Sequence, residues 1–268
     1  TSAAERMPGV QAIVTGKDTD RRYIHTGPRY ADRFPLARDT VRFFGEEVAA
    51  VAAETEEQAD AAAKAIVVQY AALPAAFDTG SASAASAPVI HRRDGLPVNV
   101  AQRTTADWGG VDEMVAAADH VVEGTFTNGI VAPLCLETNG VVADYQADPP
   151  GIDIWAGTQA PFFARKEIAH VLDLPVESVR IHPVLIGGGF GGKSQAPEPI
   201  GIAAFLSRKA LRPVRIVLSR WEEFIAGKVD HAKTMRVRTA ADGNGAITAR
   251  QTDFDVDNGA FTHMGIAY

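Results

Sequence analysis

The sequence predicts an α+β protein of two domains, and three observations predict it. Short strand-like runs rich in Val and Ile alternate with short helical segments. A stretch rich in Gly, Ser, Ala and Pro interrupts them across residues 78–109. Near the end, Asp242-Gly243-Asn244-Gly245 separates two alternating segments, which is the pattern of a β-hairpin. With 268 residues, 46% hydrophobic and 22% charged, the chain has enough apolar material for two modest cores.

The first domain is expected over residues 1–77. Residues 9–15 read as a strand, as do Val41–Phe44 and Val48–Ala53 on either side of Gly45. Thr55-Glu56-Glu57-Gln58 has the capping-box spacing, a hydroxyl at the N-cap and an amide three residues on. It opens an Ala-rich helix to about Lys64, with acidic residues at its positive end. Ile66–Tyr70 then returns as a β-branched strand. Residues 78–109 read as a linker over a surface.

The second domain is expected over residues 110–268. Val111–Ala118 is a short helix; Val121–Phe126, Gly140–Tyr145 and Ile152–Ala156 are strands. Pro161 suits the first position of a helix running to about Leu172. Val179–Ile186 is a strand in which Pro183 indicates an edge or a distortion. Ile200–Leu211 is helical and Val214–Leu218 a strand; Met235–Thr239 and Ile247–Thr252 form the hairpin.

Composition excludes several functions. The formal net charge is −7 and no Lys/Arg stripe is present, which argues against a nucleic-acid partner. No apolar run approaches the roughly 20 residues of a membrane span. The one cysteine, Cys135, cannot form a disulfide within the chain and reads as a small core residue. The N-terminus shows no basic segment followed by an apolar core.

The most informative segment is Gly187-Gly188-Gly189-Phe190-Gly191-Gly192-Lys193-Ser194. Five glycines in six positions leave backbone amides bare, suited to gripping an anion. A flexible linker is the plain alternative, but a strand and an apolar helix flank the segment. Gly187, Gly192, Lys193 and Ser194 satisfy phosphate-loop spacing, while Gly187, Gly189 and Gly192 satisfy the dinucleotide fingerprint. Context disfavours both. Pro197 and Pro199 interrupt the helix that a phosphate loop opens directly. The next strand, Val214–Leu218, ends without a carboxylate, and Glu222 and Glu223 come too late for a ribose contact.

A third reading rests on a resemblance. Ile186–Lys193 resembles the signature loop of xanthine-dehydrogenase/aldehyde-oxidase-type molybdenum hydroxylases, in their molybdopterin-binding large subunit. Gly157-Thr158-Gln159 resembles that family's glutamine segment, and Leu136-Glu137-Thr138 its Leu-Glu segment. Gly45–Thr55, with Met7-Pro8-Gly9-Val10 and Gly16-Lys17-Asp18, resembles its α/β-hammerhead domain. Nearly the whole chain is covered, in the expected order.

The resemblance implies a small α/β-hammerhead followed by part of a molybdopterin-binding α+β domain, both incomplete at the outer ends. It implies Gln159, Gly189, Phe190, Gly191 and Gly192 as cofactor-binding residues. Gln159, just before a helix N-terminus, would offer its amide N–H to an oxygen on the metal. Lys193 would either meet a phosphate or be solvated. Molybdenum would be held through the pterin, in the cytosine dinucleotide form, with no direct protein ligand. The reaction implied is hydroxylation of an aldehyde or an N-heteroaromatic carbon with water-derived oxygen. The general-base glutamate would lie beyond Tyr268, so the chain alone would be inactive. 2Fe–2S clusters and FAD or another acceptor are expected on iron–sulfur and flavin or cytochrome subunits, beside the remaining part of the molybdopterin subunit. Purine-oxidising members carry Glu where this chain has Ser194, so xanthine is disfavoured as the small-molecule substrate. The location implied is cytoplasmic, with the periplasm as the alternative.

Overall fold

Helix α6 is apolar around nearly its whole circumference, because it is covered on more than one side. It spans Glu198–Ala210 and is buried from Glu198 to Ser207. A helix of this kind organises a core rather than covering one. The computed structural model describes residues 1–24, 30–194 and 198–262. These fall into two compact units, each drawn from separated stretches: Thr1–Leu73 with Ala132–Val229, and Pro74–Val131 with the chain from Asp230 on.

In the first unit, a short helix α1 (Ser2–Glu5) precedes β1 (Val10–Thr15), which pairs antiparallel with β2 (Ala49–Ala53). Helix α2 (Glu56–Lys64) follows with its expected cap. Gln58 N–H donates to the Thr55 hydroxyl, and the Gln58 side chain accepts from Thr55 N–H. Ile13 and Ala62 pack together beneath it. The remainder is a four-stranded sheet in the order β6-β5-β4-β7. Its strands are β4 (Gly140–Ala147), β5 (Pro150–Ala156), β6 (Val179–Pro183) and β7 (Val214–Val217). β4 pairs antiparallel with β5 and β7, whereas β5 and β6 run parallel. That crossover needs a connecting helix, α5 (Pro161–Leu172), with proline at its first position.

Val141, Ala143, Ile152, Ile154 and Ala156 alternate onto the covered face of the sheet. They join Ala12, Val14, Tyr23, Leu36, Ala52 and the residues of α6 in one core. Each buried Val, Leu or Ile among them contributes about 1.5–3 kcal/mol by leaving water, and each Ala less. Gly201 lets the core close: a Cβ there would lie 1.9 Å from the Tyr23 hydroxyl.

The second unit contains α3 (Thr79–Ser83), α4 (Val111–Ala116) and a three-stranded antiparallel sheet, β3-β8-β9. Its strands are β3 (His120–Asn128), β8 (Ala232–Ala241) and β9 (Ile247–Asp257). The expected hairpin is β8–β9, longer at both ends; Asp242 Oδ1 accepts from the amides of Asn244 and Ala246 in its turn. Asn99 pins the stretch before α4, accepting from the amides of Ile90 and His91 and donating to Ala82 O and Pro88 O.

Three expected strands differ. Val41–Phe44 is not a strand, because β1 is already paired along β2 and the Arg42 amide is taken by the Glu46 carboxylate. Ile66–Tyr70 has no partner strand, and Val67 and Tyr70 are exposed. The strand from Val179 ends at Pro183, which has no N–H to donate; β6 is an edge strand, as the proline indicates. Helix α4 stops at Ala116. Pro199 is accommodated in the first turn of α6, while Pro197 lies outside the described residues. Among the described residues no helix is long and apolar enough to cross a membrane.

Candidate cofactor-binding site

Beyond β6 the chain enters the glycine loop, and backbone conformation explains its composition. Gly188, Phe190 and Gly191 have φ of 99°, 46° and 88°. Two tight turns close it: Gly192 N–H donates to Gly189 O at 2.7 Å and Ser194 N–H to Gly191 O at 3.2 Å. Phe190 occupies the left-handed region at a cost of about 1–2 kcal/mol, with its ring exposed.

Gln159 lies against this loop from the α5 side. Its Oε1 accepts from Gly191 N–H at 3.1 Å and Lys193 N–H at 3.2 Å, and its own backbone N–H donates to Lys193 O at 2.8 Å. Two amide donors at one oxygen fix which end of the side-chain amide faces the loop. Nε2 therefore points the other way, and it makes no hydrogen bond with the described residues. Gly189 makes this approach possible, since a Cβ there would sit 2.7 Å from Gln159 Cδ.

The loop amides divide into two sets. Those of Gly187, Gly191, Gly192, Lys193 and Ser194 are bonded internally or to Gln159 and Glu137. Those of Gly188, Gly189 and Phe190 donate to none of the described residues. Three consecutive N–H groups without a partner among the described residues, near a side-chain NH2 in the same state, make a donor-rich stretch, complementary to oxygen atoms carrying negative charge. Cys135 is buried beneath it, its thiol 3.3 Å from Gly189 O. Among the described residues no group of three His, Cys, Asp or Glu could hold a metal directly.

Lys193 is not solvated. It is buried and its Nζ lies 3.0 Å from Glu137 Oε2. The same carboxylate accepts Gly187 N–H through a short hydrogen bond. That amide above all, and Lys193 with it, holds the Glu137 carboxyl below its usual range despite the partial burial that opposes it. The phosphate-loop alternative for Gly187–Ser194 is not supported, because its lysine is already committed to a carboxylate.

Sequence reasoning missed two cations here. Arg220, opening α7 (Arg220–Ala226), donates to Cys135 O at 2.6 Å and Leu136 O at 2.9 Å. Lys228 donates to Ser194 O at 2.6 Å. With Pro133, Cys135, Gly192 and Phe224 they line a shallow cavity under the loop. No local motif marks either residue.

Residues 92–268 match the molybdopterin cofactor-binding domain. Residues 1–74 match the a/b hammerhead domain of aldehyde oxidase and xanthine dehydrogenase. The chain is 36% identical, over its full length, to 35% of a probable xanthine dehydrogenase component of Bacillus subtilis. It is 32% identical, over 98% of its length, to 33% of the nicotine 6-hydroxylase large subunit of Paenarthrobacter nicotinovorans. Among solved structures, the aldehyde oxidoreductase of Desulfovibrio gigas superposes with a TM-score of 0.90 at 27% identity, covering 98% of this chain and 30% of that one. The chain thus spans about a third of the length of the curated relatives it matches. By its two matched domains, it belongs to the aldehyde oxidase and xanthine dehydrogenase family and carries that family's hammerhead and molybdopterin cofactor-binding regions.

Proposed function

We propose that the chain forms one wall of the molybdenum-cofactor site of a hydroxylase that oxidises an aldehyde or an N-heteroaromatic compound with water-derived oxygen. The observation that carries this is the donor set: the amides of Gly188, Gly189 and Phe190 and the Nε2 of the adjoining Gln159, none of which donates to a described residue. A run of available amide donors suits the oxygen-rich, negatively charged periphery of a molybdopterin centre, so the residues present fit the group.

When bound, the cofactor supplies the two-electron oxidation that no side chain can perform. The chain's own part is to hold and orient it. Gln159 would donate from Nε2 while its Oε1 keeps the loop folded. Gly189 and Phe190 would donate their amides, while Gly191 and Gly192 would hold the bend that aims them. The pterin would be in its cytosine dinucleotide form. Domain limits of 1–77, 78–109 and 110–268 remain part of this reading. So do partners bearing 2Fe–2S clusters and FAD or another acceptor, with the rest of the molybdopterin subunit completing the site and its general base.

Ser194 bears on the substrate. Its hydroxyl donates to Gly191 O at 2.6 Å, turned into the loop rather than outward. A neutral, internally bonded group offers no charge to a purine, which favours an aldehyde or a simpler heterocycle.

Molybdenum and pterin analysis of the assembled enzyme tests the class. Metal-free enzyme that binds ATP with magnesium would overturn the reading. Gln159→Ala in that enzyme is expected to lower kcat about 100-fold, the scale for one lost oriented donor, out of proportion to the small drop in unfolding midpoint from its two lost loop contacts. Wild-type kinetics with bound molybdenum would remove Gln159 from its assigned role.

A further inference from the structure

We propose that Glu137 and Lys193 act together as a positioning clamp, which sets the distance between the free loop amides and Gln159 and so the seat of the cofactor. The inference rests on the reading of the site given above.

The clamp spans the neck of the loop. Glu137 accepts Gly187 N–H at the entry and the Lys193 ammonium at the exit, while its own N–H donates to Gly187 O at 3.3 Å. One side chain therefore ties residues 187 and 193, and the free amides lie between them. Lys193 passes the constraint on, because its backbone N–H and C=O, with the Gly191 N–H, are the groups that hold Gln159. Moving Lys193 would shift both the loop and Gln159 at once. The lysine stem reaches its partner beside Gly157, where an added Cβ would already touch Cδ and Nζ at 3.8 Å.

Burial separates the clamp from an ordinary ion pair. The Lys193 side chain is 2% exposed and that of Glu137 42%. A solvated lysine would do for charge balance alone. Here an ammonium is held in the interior by one carboxylate, which water still reaches from the other side. Glu137 already accepts two donors and is held in its ionised form, so it is poorly suited to take a proton from substrate. Its role is therefore positional.

The asymmetry also selects the test. Glu137→Gln strands a buried ammonium and threatens the fold. Lys193→Met keeps the stem's volume and leaves a carboxylate that water can solvate. Both variants and their combination would be made in the assembled holoenzyme. Each would be measured for molybdenum and pterin content, unfolding midpoint, kcat, KM and the Mo(V) paramagnetic resonance spectrum. Lys193→Met is expected to keep its unfolding midpoint within a few degrees, to lose kcat at least tenfold with little change in KM, and to show a displaced Mo(V) spectrum. The double variant should be no worse than the poorer single one, as expected of two residues acting as a unit. Wild-type kcat and an unmoved spectrum in Lys193→Met would overturn the clamp. So would variants that lose stability alone, or losses in the double variant that simply add. Wild-type enzyme without molybdenum or pterin would instead defeat the underlying reading, and is distinguished because it needs no variant.

Discussion

Arg33 and Lys193 are both basic, both buried and both in the first unit, yet they are held differently. Arg33 reaches Glu198 at 2.7 Å and Glu47 at 2.8 Å; the Arg33 and Glu198 side chains are each 4% exposed. Its network joins the segment before β2 to the first turn of α6, with water reaching only the Glu47 end, 22% exposed. Lys193 has one carboxylate partner, open to water on its far side. The first arrangement can only fix packing. The second fixes a loop whose remaining donors face outward. Buried charge is thus used once to weld a core and once to aim a site, and the exposure of the acidic partner distinguishes the two.

The comparison breaks most visibly at Arg33. Arg33→Met leaves the Glu198 carboxylate buried beside an apolar side chain, which is expected to destabilise the chain by about 3–5 kcal/mol in urea unfolding. Adding Glu198→Met removes the stranded charge and should recover more than half of that loss. If Arg33→Met were neutral, water would have to reach this network after all, and the contrast with Lys193 would fail.

How much of this was legible in the sequence follows from separation along the chain. The capping box at Thr55 and Gln58 and the turn at Asp242–Gly245 were readable because every participant lies within a few residues. The glycine loop was readable because composition alone marks backbone that must bend or be approached. Gln159 was found by its position before Pro161 and by resemblance. Which face of its amide meets the loop depends on Gly191 and Lys193, 32 and 34 residues away. The Glu137–Lys193 pair is separated by 56 residues and Arg33–Glu198 by 165, and no local pattern announces either. Ile66–Tyr70 shows the opposite failure. Its β-branched residues express a local preference that only a neighbouring strand can satisfy, and none pairs with it.

Glu167 sharpens the comparison as a buried carboxylate without an ion-pair partner in contact. Its Oε2 accepts Ile24 N–H at 2.9 Å, while Oε1 has no hydrogen-bond partner among the described residues. Burial pushes its pKa up to about 7, with the Ile24 amide and the charge of Lys228 opposing. A raised carboxyl pKa means the native state binds the proton more tightly than the unfolded chain does. This contribution is full below the unfolded value near 4.5 and is lost as pH rises through 7. Glu167→Gln keeps the acceptor for Ile24 and removes the titration. Relative to Glu167→Gln, the original chain should therefore lose on the order of 3 kcal/mol between acidic and alkaline conditions. A pH-independent difference between the two urea midpoints would place this carboxyl in contact with water or with a cation.

At the opposite limit is Asp153 on the outward face of the four-stranded sheet, where the smallest effect is expected. Arg180 grips it through two hydrogen bonds, and His182, stacked on Trp155 at 4.8 Å, adds a third. Arg180 above all, with His182, lowers the Asp153 pKa to about 2. By geometry this is a better ion pair than Lys193–Glu137, but the Arg180 side chain is 59% exposed. Water and salt compete for the guanidinium in a way they cannot for a buried ammonium. Arg180→Ala is therefore expected to cost less than about 1 kcal/mol near neutral pH, and less still in high salt. Because the native pKa is depressed, this contribution is present above the unfolded value of 3.8 and fades as pH falls toward 2. A loss comparable with Arg33→Met, insensitive to salt, would show that bond geometry rather than burial of the partners sets the energy of these pairs. A small, salt-sensitive loss leaves burial as the property that separates the core weld, the loop clamp and the surface pair.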